Sequence, residues 1–290
     1  MTDYSYPCLP RHLLLLKILA AAAALTNSFS AEAADASAWD GDARSAVRLI
    51  AGSPITAAKA RTLRAGIAVK LAAGWKTYWR YPGDSGIPPR FNFSRSENIQ
   101  TVDVLWPAPH RFSDPGGQSI GYKDGIIFPL HIIPREPAKP VRLRLELEYA
   151  VCEKLCVPAV AKVELALDAG ASSHDGELAR SEAQVPKPTR IGDSGELAVK
   201  AVQRQASQGK SRIVIDVAVP SSEPIDVFAE GPTPDWALPL PEPVPGSPPG
   251  IKRFAFNLEG APPGATVKGQ AFKLTVVGGT GAIEASTHLD

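Results

Sequence analysis

The stretch "VRLRLELEYAVCEKLCVPAVAKVEL", residues 141–165, decides the fold. Val141, Leu143, Leu145, Leu147 and Tyr149 fall on one side of an extended chain, and Arg142, Arg144, Glu146 and Glu148 on the other. After a short interruption, Val163, Leu165 and Leu167 alternate with Lys162, Glu164 and Ala166. A period of two marks strands with one buried face. Between the two runs lie Cys152 and Cys156. Residues four apart on a strand are about 13 Å from each other, and a disulfide needs its Cα atoms within about 7 Å. If these cysteines bond, the chain reverses between them. Glu153, Lys154 and Leu155 then form the tip of a hairpin-like return, with Pro158 ending the irregular piece and the bridge accessible at the tip.

Working outward, the same alternation recurs. Ile67, Val69 and Leu71 share a face in "IAVKL", and "SIGYKDGIIFPLHII" reads as a hairpin turning at Asp124-Gly125. Residues 168–192 lose the pattern and read mainly as a linker, with room for one short helix over about residues 177–184. Strand signals resume in "RIVIDVAVP", in "RFAFNLEG" with Phe254, Phe256 and Leu258 on one face, and in "AFKLTVVGG" and "AIEAST". "EGPTPDWALPLPEPVPGSPPG" is too rich in proline for a central strand. The expected class is all-β: an immunoglobulin-like β-sandwich over 35–168, a linker over 169–192 and a second β-sandwich-like domain over 193–290.

Composition agrees. The 290 residues include 28 Pro and 24 Gly, few long helical patterns, and a net charge of +1 that gives no basic excess for nucleic acid. Residues 1–34 stand apart as a secretory signal peptide. Arg11, His12 and Lys17 accompany the apolar run "LLLLKILAAAAAL", and small residues follow, with a cut expected near Ala33 or Ala34. No later stretch reaches the eighteen or so apolar residues of a membrane helix. The expected location is the periplasm, in soluble form. Cys8 precedes the apolar core and leaves with the signal. Of three cysteines the mature chain keeps Cys152 and Cys156, which an oxidising compartment is expected to pair.

Three readings of that pair stay open. As a staple, so small a ring restricts the unfolded chain by only about 2 kcal/mol, against nearly 5 for a hundred-residue loop. As a metal site, two soft thiolates suit Cu(I), with His110 and His131 the imidazoles at hand, although neither has clear ligand spacing to the cysteines. As a redox pair, a tight ring at an exposed edge opens and closes by thiol–disulfide exchange. Lys154 favours a thiolate beside it and Glu153 opposes one.

At these residues the chain resembles a known family. The stretch from "VLWPAPHRFSDPGG" through "YAVCEKLCVP", together with "GWKTYWRYPGDSGIPPRF" at 74–91, resembles the N-terminal periplasmic domain of the DsbD family of thiol:disulfide interchange proteins. The "CxxxCVP" form is similar to the ScsB-like branch, which is associated with copper tolerance. The resemblance spans about residues 45–168 and matches the second domain more loosely. It implies an immunoglobulin-like domain in which Cys152 and Cys156 relay electrons from a membrane reductase to client disulfides, with Cys156 the attacking thiol. It also implies a cap loop shielding the disulfide, for which "HRFSDPGG" offers Phe112 as the shield and Asp114 as the acid. The family's membrane and thioredoxin-like domains are not in this sequence. A separately encoded membrane thiol reductase and thioredoxin-like or disulfide-containing periplasmic clients are therefore the expected partners, with no cofactor.

The alternatives to an oxidoreductase component are a Cu(I)-binding copper-tolerance protein and a noncatalytic protein-binding module with a structural bridge. Trp75, Tyr78, Trp79 and Tyr81 read as core and strand-edge packing rather than as a ligand platform. "PGDSGIPP" reads as turn chemistry. No G-x-S-x-G elbow supports a hydrolase.

Overall fold

The alternating segments build two sandwiches, seen in a computed structural model that describes residues 1–3 and 34–289 apart from 58–59, 85, 115–116, 168–169, 171, 208–209, 221–223 and 280. Residues 4–33 of the proposed export segment, including Cys8, Arg11, His12, Lys17 and Ala33, lie outside the described residues, as do Pro115 and Gly116.

In the first sandwich one sheet runs β1 (Asp40–Gly41), β2 (Ser45–Ala57), β3 (Ala60–Leu71), β9 (Ile126–Pro134), β6 (Ile99–Val104). The other runs β11 (Cys156–Leu167), β10 (Val141–Cys152), β4 (Lys76–Gly83), β8 (Gly117–Lys123), β7 (His110–Asp114), with β5 (Arg90–Asn92) also pairing β10. The second sandwich has β12 (Lys187–Thr189), β19 (Gly281–His288), β18 (Ala271–Gly278) and β15 (Asp226–Glu230) in one sheet. Its other sheet has β13 (Ala198–Ser207), β14 (Lys210–Ala218), β17 (Ile251–Asn257) and β16 (Glu242–Val244). The proline-rich stretch supplies only the short edge strand β16, as the missing N–H groups of proline require.

Alternation becomes packing as expected. Val141, Leu143, Leu145, Leu147, Tyr149, Val163, Leu165 and Leu167 are all buried in the first core, and Arg142, Glu148, Lys162 and Glu164 are exposed. Each buried aliphatic side chain contributes roughly 1.5–3 kcal/mol. Phe228 and Leu240, from the second sandwich, complete that first core. Ile213, Ile215, Phe254 and Phe256 lie in the second core, with Trp236 edge-on to Phe272 at 5.4 Å between ring centroids.

Three local expectations are corrected. β8 and β9 are not a hairpin: β8 pairs with β4 and β7, β9 with β3 and β6, so Asp124-Gly125 is a corner carrying the chain from one sheet to the other. Pro158 does not end the irregular piece but lies within β11, opposite Ala150. It is tolerated because β11 is an edge: the Lys162 N–H points away from β10 to Asp40, and the period of two gives Pro158 the same outward direction. A proline there withholds a donor from any strand approaching the edge.

The expected linker is packed rather than free. It carries α1 (Asp175–Ala183), whose Leu178 is fully buried in a hollow between Gly52 and Gly66. A Cβ on either glycine would fall 2.5 or 2.7 Å from the Leu178 methyls. Arg64 clamps both ends of the helix, donating to Glu182 at 2.8 and 2.9 Å and to Asp175 at 3.1 Å. Two glycines distant in sequence make this seat, which no local pattern announces.

Candidate functional site

Cys152 and Cys156 form a disulfide with their Cα atoms 4.1 Å apart. The ladder of β10 and β11 runs without interruption to the pair itself, so residues 153–155 form the tip that spacing and alternation called for. The two halves differ in access. Cys152 is 2 % exposed, whereas Cys156 is exposed beside Leu155, itself 79 % exposed. The accessibility expected of the whole bridge belongs to Cys156.

Register places the neighbours. Cys152 lies opposite Lys76 on β4, Lys76 opposite Lys123 on β8, Tyr78 opposite Gly121, and Phe112 opposite Ser119. Laterally paired residues share a face, and the strand period of two extends it. Cys152, Cys156, Lys76, Tyr78, Lys123, Ser119, Phe112 and Asp114 therefore occupy the same face of one sheet, opposite the core.

Tyr78 is the side chain that reaches the sulfurs. Its hydroxyl is 2.8 Å from Cys152 Sγ and 3.1 Å from Cys156 Sγ. Disulfide sulfurs carry no proton, so the phenol is the donor. The ring is 1 % exposed and packs with Ala150 and Cys152. Gly86 lies against it: a Cβ there would fall 2.6 Å from two ring carbons. Burial, and secondarily the negative charge of Asp114, push the phenol above its ordinary pKa of 10, keeping it a donor through neutral pH.

Asp114 and Phe112 lie on strand β7, not in a loop, and they support this face indirectly. Asp114 pairs with the buried Lys76 ammonium and accepts from Ser119, while Lys76 also donates to Ser119 at 3.1 Å. Burial alone would raise the Asp114 carboxyl. The hydrogen bonds from Lys76 and Ser119 and the charges of Lys76 and Lys123 outweigh it and hold the group below the ordinary carboxylate value. The Phe112 ring carries Lys123 Nζ at 4.6 Å and Lys76 Nζ at 5.6 Å, and His110 lies 6.5 Å away. His131 is in the opposite sheet, 3.6 Å from Glu182. Among the described residues no group of three His, Cys, Asp or Glu side chains could hold a metal.

Tyr78 is the residue that sequence reasoning missed by reading it as packing. The signal was its parity: it alternates with Trp79, so the two cannot share the core face.

The arrangement is an immunoglobulin-like sandwich with a hairpin-tip disulfide, half exposed and hydrogen-bonded from beneath. Residues 46–168 match the family described as thiol:disulfide interchange protein DsbD, N-terminal. The fold is also that of the N-terminal periplasmic domain of ScsB from Proteus mirabilis, with a TM-score of 0.67 at 18 % identity, covering 88 % of this chain and 98 % of that one. No curated protein matches. Among the described residues no helix is long and apolar enough to cross a membrane.

Proposed function

We propose that this protein carries out thiol–disulfide exchange in the periplasm, taking electrons from a membrane dithiol reductase and passing them to client disulfides through Cys152 and Cys156. One observation carries the reading: at the tip, one cysteine is exposed and the other buried, with one phenol hydroxyl on both sulfurs. In the reduced pair, Cys156 as thiolate attacks a client disulfide, and the expelled client thiolate takes up a proton. Cys152, its proton passing to solvent, then attacks Cys156 Sγ and releases the client's second thiolate, which is protonated in turn. The client gains two electrons and two protons and the pair loses them. The exposure of Cys156 supports it as the attacking group, and the burial of Cys152 suits the resolving one. Tyr78 would donate to whichever sulfur is anionic. Asp114 acts on Tyr78 through charge and on Lys76 by pairing, and Phe112 contributes by covering the two lysines.

The test is trapping. A Cys152→Ser variant is expected to accumulate a mixed disulfide through Cys156 with thioredoxin-like periplasmic proteins, and the wild-type bridge to have a reduction potential above about −300 mV. A lower potential together with no adduct would make the bridge a staple.

A further inference from the structure

Strand β4 is held in two different ways along its length. Lys76, Thr77 and Tyr78 lie in ladder register with β8, and Lys76 and Thr77 also with β10. After Tyr78 the register breaks: the next pair is Gly83 with Ser119, and residues 79–82 pair with neither neighbour. Where the ladder stops, the side chains of this segment are anchored on the second sandwich. Trp79, fully buried, packs on Phe228 with ring centroids 5.7 Å apart. Arg80 grips Glu230 through two hydrogen bonds of 2.7 and 2.8 Å and also pairs with Glu284. The Tyr81 hydroxyl donates to the Leu238 carbonyl. Three consecutive side chains thus end on four residues of the second sandwich, and they begin at the residue after Tyr78.

We infer that the second sandwich is the positioning element of the disulfide site: by holding residues 79–81 where the ladder fails, it fixes the Tyr78 hydroxyl on the sulfurs and so sets the acidity of the reduced thiols. This rests on the exchange reading above. The lever is short. Tyr78 is the last residue of β4 in register before the break, its ring is clamped between Ala150, Cys152 and Gly86, and its backbone continues directly into Trp79. A hydrogen bond to a thiolate stabilises the charged form and lowers the thiol pKa. If Trp79 and Arg80 lose their seats, the phenol oxygen shifts, and a displacement of a few tenths of an ångström weakens a directional bond of this kind. Trp79, Arg80 and Tyr81 are then positioning residues, acting through Tyr78.

The experiment uses the reduced full chain and follows iodoacetamide labelling of Cys156 against pH. Tyr78→Phe is expected to raise the midpoint by about one pH unit, the size set by one hydrogen bond to a charged group. Phe228→Ala and Glu230→Gln, both remote from the sulfurs, are expected to raise it in the same direction by less. Combining either with Tyr78→Phe adds nothing, because both act through the same hydroxyl. Tyr81→Phe, which removes only the bond to Leu238, serves if the larger changes unfold the chain. An unmoved midpoint in folded second-sandwich variants, or in Tyr78→Phe itself, overturns the inference while leaving the exchange reading intact. A wild-type pair that forms no mixed disulfide with any thioredoxin-like protein removes the exchange reading instead.

Discussion

Two turns of the first sandwich, at residues 153–155 and at Asp124-Gly125, are held by opposite means. At residues 153–155 the chain returns into the sheet it left, and β10 and β11 are paired from Val141 with Leu167 up to Cys152 with Cys156. At Asp124 and Gly125 it leaves that sheet: Lys123 is still paired with Lys76, whereas Ile126 is already paired with Val69 in the other layer. The first turn is secured by twelve ladder pairs before any sulfur bonds. The second is secured by its own backbone, with φ of 63° at Asp124 and 113° at Gly125. The disulfide therefore sits at a reversal that the ladder already holds.

The sharpest way to break this comparison is Gly125→Ala. That residue would adopt a φ that L side chains rarely take, and its Cβ would fall 2.7 Å from the Val69 carbonyl oxygen. Backbone strain and overlap together are expected to cost about 3 kcal/mol, read as a lower urea midpoint. A loss under about 1 kcal/mol would mean that the corner is as replaceable as the tip.

Next in size is removal of the bridge. Cys152→Ser/Cys156→Ser is expected to lose about 2 kcal/mol, the chain-entropy value for so short a loop, while keeping its β-sheet circular dichroism. A loss approaching 5 kcal/mol would make the bond a structural necessity and would weigh against its being opened in function.

The same contrast explains what could be read in advance. Residues 141–149 and 163–167 were legible because a sheet with one buried face writes its geometry into every second side chain. The tip was legible because two cysteines four apart cannot bond on a straight strand. The Asp124-Gly125 turn was visible too, but turn residues say where a chain bends, not which sheet it enters. That depends on partners such as Val69 and Leu130, far off in sequence. The resemblance makes "HRFSDPGG" a cap loop, whereas lateral pairing with β8 places Phe112 and Asp114 on a strand. The seat of α1 was illegible for a related reason: Leu178 needs Gly52 and Gly66 set diagonally on adjacent strands, and only the sheet brings them together. Tyr78 could have been found by counting parity along "KTYWRY".

The smallest expected effect separates the two turns by pH. The charged network on the disulfide face depends on Asp114, whose carboxyl is held below its ordinary value by Lys76 and Ser119 against the opposing effect of burial. A group whose pKa is depressed by folding stabilises the protein above its unfolded value, near 3.9, and that contribution fades as pH falls through the lower folded value. Asp114→Asn is therefore expected to cost about 1 kcal/mol at pH 7, since the amide still offers Lys76 one acceptor, and less as the pH falls below about 4. Urea midpoints of wild type and variant, measured at pH 7 and pH 3, check the sign: the gap narrows in acid. Over the same range the gap for Gly125→Ala stays open, because its cost is backbone overlap with the Val69 carbonyl, which takes up no proton.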